Sequence, residues 1–353
     1  MGDLAGRTVF VAQDFMLGEV LNEIAARLRA RGIEIVRGPE SKPGEKVVFA
    51  REGWTNWFGR AEVAMFSSRN ICSRELMACA PRLQGVVNPG IGLETVDLAA
   101  ADELGIIVGH GATPENFLSV AEATVMLMLM LMYNVHATEE VFRGTRPSPP
   151  RTPSGMWSRM LRGRSVGLIG LGRVARGVIE RLAGFDVRLL GFDPYVDKSS
   201  VPPGVKLVDL DTLLASSDIV GLFVSISAET RGMIDARALS LMKPTAYFIN
   251  TSRGEAVDEA ALYEALRDRR IAGAALDTFV VEPLPRDSPL RTLDNVILTP
   301  HMVAHTGDVF ASFVPAAEEN ITRILRGEPP LYCKNPGIIP AWRERLARLS
   351  ARS

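Results

Sequence analysis

Three side chains that can exchange a proton, hold an anion or carry negative charge each follow a short apolar run. His301 comes directly after NVILTP (295–300). Arg253 lies in NTSRGEAVDE, which runs on from YFIN (247–250), and Glu282 lies in FVVEPLP, beyond IAGAALD (271–277). An imidazole titrates near neutrality and can exchange a hydroxyl proton. A guanidinium fork binds a carboxylate through two bonds and polarises a carbonyl. A carboxylate beside the imidazole favours its protonated form. Such a set suits hydride transfer between a nicotinamide and a 2-hydroxy or 2-oxo acid. Asp277 ends IAGAALD and is a candidate to hold the nicotinamide carboxamide. Of the other histidines, His110 lies in a glycine-rich segment, His136 reads as structural at the end of an apolar helix, and His305 stands four residues after His301. His301, His305 and Glu282 together are also a conceivable zinc set. Their spacing is not that of an HExxH helix and the nicotinamide reaction needs no metal, so none is expected.

A second group of residues is suited to bind a dinucleotide. GLIGLGRVA places Gly170, Gly172 and Ala175 in the order G-x-G-x-x-A, between an apolar run and a helical pattern. Gly170 allows a tight turn, Gly172 lets a pyrophosphate approach the backbone, and Ala175 lets the helix pack closely. The helix N-terminus then faces the phosphates. Asp193 ends the following apolar run, VRLLGFD. A carboxylate there binds a ribose diol and repels a 2′-phosphate, which predicts NAD over NADP. Arg173 and Val174 inside the turn, and Thr251 after YFIN, are further candidate cofactor contacts.

The elements that must position these groups alternate between strand and helix patterns. TVFVAQD (8–14), IEIVRG (33–38), EVAMF (62–66), LQGVV (83–87) and IIVG (106–109) read as strands. Helices are expected at 17–30, stopped by Gly32, at 73–80 and at 94–104. A second series has strands at SVGLIG (165–170), VRLLGFD (187–193), DIVGLF (218–223), YFIN, IAGAALD and NVILTP. Its helices are expected at about 119–133, at 173–184 closed by Gly184, and near 258–268. This grammar predicts an α/β chain with two Rossmann-like parallel sheets, each covered on both faces. Residues 42–60 read as a loop or short extra element, and 143–155, rich in Pro, Gly and Ser, as a loop. A tail helix near 309–326 is expected to return to the first unit.

The chain has 353 residues, enough for two domains, and a formal charge of −1 that argues against a broad nucleic-acid footprint. Cys72, Cys79 and Cys333 fit neither a disulfide framework nor a zinc ribbon, which points to the cytoplasm. The N-terminus lacks the pattern of a secretory signal. VMLMLMLMY (125–133) is too short to span a bilayer and reads as part of a buried helix, so no membrane partner is expected.

The assembled motifs resemble the D-isomer-specific 2-hydroxyacid dehydrogenases. The resemblance rests on GIGLETVDLAAADELGI (90–106), SVAEATVMLML (119–129), VGLIGLGRVARGV (166–178), INTSRGEAVDEAAL (249–262), AGAALDTFVVEPLP (272–285) and NVILTPHMVAHT (295–306). It implies a flavodoxin-like substrate domain, residues 1–116 plus 307–353, with an NAD-binding domain, 117–306, inserted into it. It assigns Arg253, Glu282 and His301 to catalysis, and Asp193 and Asp277 to NAD. It assigns Gly90, Ile91 and Gly92 to a loop whose backbone N–H groups receive the substrate carboxylate. Arg69, in SSRN, is a candidate second anion contact. The apolar helix at 119–133 resembles the family's dimerisation helix, so the resemblance implies a homodimer formed through the NAD-binding domain; burial inside one subunit is the other reading. The alternatives are an NAD-binding regulator of the same fold that lacks turnover, and a phosphonate-type dehydrogenase.

Overall fold

The computed structural model describes residues 4–15, 17–40, 47–49, 51–152 and 157–351. The chain forms two compact units, one made of residues up to Asn116 and from Thr306 onward, the other of Phe117–His305.

In the first unit, β1 (Thr8–Val11), β2 (Glu34–Arg37), β3 (Val63–Met65), β4 (Gly85–Asn88) and β5 (Ile107–His110) form a parallel sheet ordered β2-β1-β3-β4-β5. The central strands are short continuous apolar runs because both faces are covered. One cover is the Gly18–Ala30 helix, whose Leu21, Ile24, Ala25 and Leu28 recur on one face. The Gly307–Leu325 helix packs beside it through Val314, Ala317, Ile321 and Ile324. The tail helix therefore belongs to the first unit. Thr306 caps it, its hydroxyl accepting from the Val309 N–H at 3.2 Å.

The opposite face holds the aromatic residues of the segment read as a loop or short extra element. Trp54–Trp57 makes a single helical turn, and Phe58 and Phe49 are buried against Phe10, with ring centroids 5.1 and 6.1 Å away. These two phenylalanines are core residues of the first unit. Residues 42–46 and 50 of that segment lie outside the described residues.

In the second unit the order is β12-β11-β10-β9-β6-β7-β8, all parallel. The strands are β6 (Ser165–Ile169), β7 (Arg188–Phe192), β8 (Val205–Leu207), β9 (Ile219–Leu222), β10 (Tyr247–Asn250), β11 (Gly273–Leu276) and β12 (Val296–Leu298). The chain runs outward from β6 to β8, then returns to the other side of β6 with β9. That reversal between β6 and β9 makes a switch point, and ligands bind outside the carboxyl ends of strands there.

Several local expectations are corrected. The apolar helix starts at Pro114, runs 20 residues to Tyr133, and continues past left-handed Asn134 into a second helix, Val135–Phe142. By length and composition it is long enough to cross a membrane, with 44% of its most apolar window buried in the protein. The helix after β6 ends at Leu182, not at Gly184. A 3-10 turn follows, and the left-handed residue is Asp186. Besides the Val135–Phe142 helix, β8 and the helices Leu210–Ser216, Ala236–Leu241 and Ile339–Ser350 went unread.

The last of these helices anchors itself through Trp342, which is fully buried and donates from Nε1 to the Gln84 carbonyl at 2.8 Å. Trp342→Ala is expected to lower unfolding free energy by about 3–5 kcal/mol, read from the shift in urea midpoint.

Candidate active site

Every candidate group of the second unit leaves the carboxyl end of a strand. Gly170 follows β6, Asp193 follows β7, Arg253 lies beyond β10, Asp277 follows β11, and His301 lies beyond β12. Common strand direction alone collects them along one edge of the sheet.

At the first of these ends, Gly170 has φ +90°, and a Cβ there would lie 2.8 Å from the Phe223 carbonyl oxygen. Only glycine fits both constraints. Gly172 is the N-cap of the Arg173–Leu182 helix and supplies no capping side chain, so an anion can satisfy the first-turn N–H groups. Ala175 is fully buried. Asp193 is tied to this turn: its Oδ2 accepts from the Leu171 N–H and its Oδ1 from the Tyr195 N–H, each at 2.9 Å. Each oxygen keeps a further lone pair for a hydroxyl. Arg173 lies with its guanidinium carbon 4.8 Å from the Phe117 ring centroid, and Val174 is half-buried. These features fit a dinucleotide.

Arg253 is held by its neighbours in sequence. The buried Asn250 side chain accepts from the Ser252 N–H at 3.0 Å and donates to the Arg253 carbonyl at 2.9 Å. The next residue, Gly254, would place a Cβ 2.0 Å from the Phe279 carbonyl carbon. Its bare backbone brings the Arg253 loop against the segment that leads to Glu282. Thr251 donates its hydroxyl to Thr124 at 2.9 Å, because the Thr124 proton is already directed to the Val120 carbonyl at 2.7 Å.

His301 and Glu282 meet directly. His301 Nδ1 is 2.8 Å from Glu282 Oε2, while Glu282 Oε1 accepts from the Phe279 N–H at 3.0 Å. Both side chains keep partial solvent access, 44% for His301 and 37% for Glu282. Burial pushes the Glu282 carboxyl up. The bond and charge of His301, the Phe279 N–H and the nearby Arg253 outweigh it and leave the carboxyl below its ordinary range. Glu282 is therefore ionised at neutral pH and can accept from Nδ1–H, which leaves Nε2 as the nitrogen for proton exchange.

Asp277 holds the turn that carries His301. Its Oδ1 accepts from the Thr299 hydroxyl at 2.7 Å and from the Met302 and Val303 N–H groups at 3.0 and 3.2 Å. His301 sits inside that turn at φ +56°. Left-handed backbone is costly for a non-glycine residue and persists only where the surroundings enforce it.

The first unit holds the remaining candidates. The Asn88 side chain braces the loop, its Oδ1 accepting from the Gly90 N–H at 2.9 Å and its Nδ2 donating to the Gly92 carbonyl. The Gly90 N–H is thus engaged within the loop, and Ile91 and Gly92 are the donors left for an anion. Arg69 Nη1 lies 3.5 Å from buried Asp14, and its guanidinium carbon is 5.0 Å from the Phe15 ring centroid. Its charge is partly balanced.

Comparison with known proteins decides the family. The model of the D-isomer-specific 2-hydroxyacid dehydrogenase NAD-binding domain matches residues 125–303. A glyoxylate reductase of Thermofilum pendens is 39% identical over 268 residues, covering 75% of this chain and 78% of the relative. The chain belongs to the D-isomer-specific 2-hydroxyacid dehydrogenase family. A D-3-phosphoglycerate dehydrogenase of Methanocaldococcus jannaschii is 37% identical over 82% of this chain, which spans about half (54%) of that relative's length. The solved 2-hydroxyacid dehydrogenase of Ketogulonicigenium vulgare Y25 superimposes with TM-score 0.78 at 26% identity, covering 94% of this chain and 98% of that one. The dehydrogenase is an NAD-dependent oxidoreductase, and the Phe117–His305 unit contains its NAD-binding domain.

Sequence reading of the dehydrogenase missed Asn250 and Thr299, which touch Arg253 and Asp277. A short polar residue at the end of an apolar strand was the available signal, since Asn and Thr side chains bond to nearby backbone at such places.

Replacing Asp277 by alanine leaves three donors of the 299–303 turn without their acceptor. Asp277→Ala is expected to cost about 2–4 kcal/mol, less than three times the roughly 1–3 kcal/mol of a fully buried orphaned donor because these three are only part-buried, whereas Asp277→Asn keeps an acceptor oxygen and costs less. Denaturant titration of the two variants measures the difference.

Proposed function

We propose that the enzyme interconverts a D-2-hydroxy acid and its 2-oxo acid, with His301 as general acid and base. The observation that carries this reading is the His301 Nδ1–Glu282 Oε2 bond of 2.8 Å. It fixes the ring and turns proton exchange over to Nε2.

NADH, when bound, supplies the hydride that the carbonyl carbon receives. Gly172 and the first turn of the Arg173–Leu182 helix would hold its pyrophosphate, Asp193 its ribose diol, and Asp277 its carboxamide, with Arg173, Val174 and Thr251 alongside. Arg253 binds the substrate carboxylate and polarises the carbonyl oxygen as negative charge develops. Protonated His301 delivers its Nε2 proton to that oxygen, completing the hydroxyl, and recovers a proton from water. In oxidation neutral His301 accepts the hydroxyl proton at Nε2, while Glu282 stabilises the resulting imidazolium. The Ile91 and Gly92 N–H groups are further donors for an acid substrate, with Arg69 in the same unit. The relatives named glyoxylate reductase and D-3-phosphoglycerate dehydrogenase support a small 2-oxo acid as substrate. Three free cysteines suit a reducing cytoplasm.

We also place a homodimer contact on this unit. Met126, Tyr133, Val135, Phe142 and Met160 are exposed on and beside the apolar helix, Phe142 at 92%. Apolar exposure of this extent marks an association surface. Light scattering is expected to give twice the chain mass, and M126S/F142S to shift it toward one chain. A monomeric parent protein would contradict the assignment.

His301→Gln is expected to lower kcat for 2-oxo acid reduction at least about 10²–10⁴-fold while NADH titration gives an unchanged Kd. Glu282→Gln is expected to lower kcat less in the same assay, because an amide can still bond to Nδ1 and hold the ring. Equal loss of NADH binding and turnover in His301→Gln would remove the assigned role.

A further inference from the structure

Both main-chain polar groups of Leu171, in the middle of the glycine turn, are engaged. Its N–H donates to Asp193 Oδ2 at 2.9 Å, and its carbonyl accepts from Arg176 Nε at 3.2 Å. The other arm of the same guanidinium, Nη2, donates to the Ser200 carbonyl at 2.6 Å. Arg176 therefore spans from the turn after β6 to the turn that follows β7.

The second of these turns is closed on itself. Asp197 Oδ1 accepts from both the N–H and the hydroxyl of Ser199 at 2.8 Å, and the Ser200 N–H donates to the Asp197 carbonyl at 2.8 Å. It stands four residues beyond Asp193 in sequence. A planar fork with separate donors joins the two carbonyls at a fixed geometry; an ammonium on a flexible stem has no fixed second arm.

Peptide geometry gives the bridge a consequence. The Leu171–Gly172 peptide is planar and trans, so its C=O and its N–H point in opposite directions. Fixing the Leu171 carbonyl toward Arg176 aims the Gly172 N–H the other way. Gly172 is the residue at which the pyrophosphate is expected to approach, and a Cβ there would meet nothing within 4 Å.

We propose that Arg176 is a positioning residue for the coenzyme. Without touching it, Arg176 sets the direction of the Gly172 N–H and keeps the phosphate-binding turn and the ribose-binding Asp193 at one spacing. The proposal rests on the assignment of Gly170–Ala175 and Asp193 to NAD. Its effect belongs to binding of the ADP-ribose half and not to the hydride step.

The test is fluorescence titration of NADH, and calorimetric titration of ADP-ribose, into the parent protein, Arg176→Ala, Arg176→Lys and Arg181→Ala. Arg181 lies on the same helix, pairs with Glu122 at 2.7 Å, and serves as the control. Arg176→Ala is expected to raise Kd about tenfold (about 1.4 kcal/mol) for both ligands, with kcat at saturating NADH unchanged. Arg176→Lys recovers part of the loss, and provides the comparison if the alanine variant does not fold. Unchanged Kd in the folded Arg176 variants overturns the proposal. So does weakening confined to NADH and spared in ADP-ribose, or an equal loss in Arg181→Ala. A parent protein that binds neither ligand overturns the NAD assignment itself, and the proposal with it.

Discussion

The hydrogen bond between His301 Nδ1 and Glu282 Oε2 is the contact on which the rest of the site depends. A partner at one imidazole nitrogen sets the ring's orientation and directs proton exchange to the other nitrogen, and the 2.8 Å partner at Nδ1 supplies that. The same contact helps to lower the Glu282 carboxyl against the opposing effect of its burial.

Two loops must meet for that bond to form, and each is held by side chains that do no chemistry. The 299–303 turn gathers on one buried oxygen of Asp277, which forces His301 into left-handed backbone. A residue of this type in that region costs about 1–2 kcal/mol, so the three bonds at Asp277 are what sustain it. On the facing loop, Gly254 lets the Arg253 turn back against Phe279, the residue whose N–H fixes the other oxygen of Glu282. Removal of Cβ at one position and convergence of donors at another thus determine where three functional groups stand.

The strands of both sheets except β8 were legible because parallel strands covered on both faces read as unbroken apolar runs, and the glycine turn because strand, turn and helix followed in order; β8 is a three-residue edge strand whose middle residue is a lysine. His301, Arg253 and Glu282 were legible as the polar residues just past strand ends. What escaped reading was convergence over distance. Nothing near Asp277 in sequence announces that residues 22 to 26 positions later will share one of its oxygens. Local propensity also misled at helix ends: Asp186, not Gly184, takes the left-handed position, and Pro114 begins a helix expected five residues later. The Ile339–Ser350 helix does carry an apolar face, Ile339, Trp342, Leu346 and Leu349 at helical spacing, so its signal was present in the sequence and went unread among its arginines.

The most direct measurement is the tautomer of neutral His301, read by nitrogen-15 correlation spectra of the imidazoles, with assignment among four histidines made by loss of one signal in His301→Gln. A carboxylate acceptor at Nδ1 requires the proton on Nδ1 and a bare Nε2, and removal of the Glu282 charge should release that preference. A neutral His301 protonated at Nε2 in the parent protein would contradict the account, since the nitrogen meant to receive the substrate proton would already be occupied.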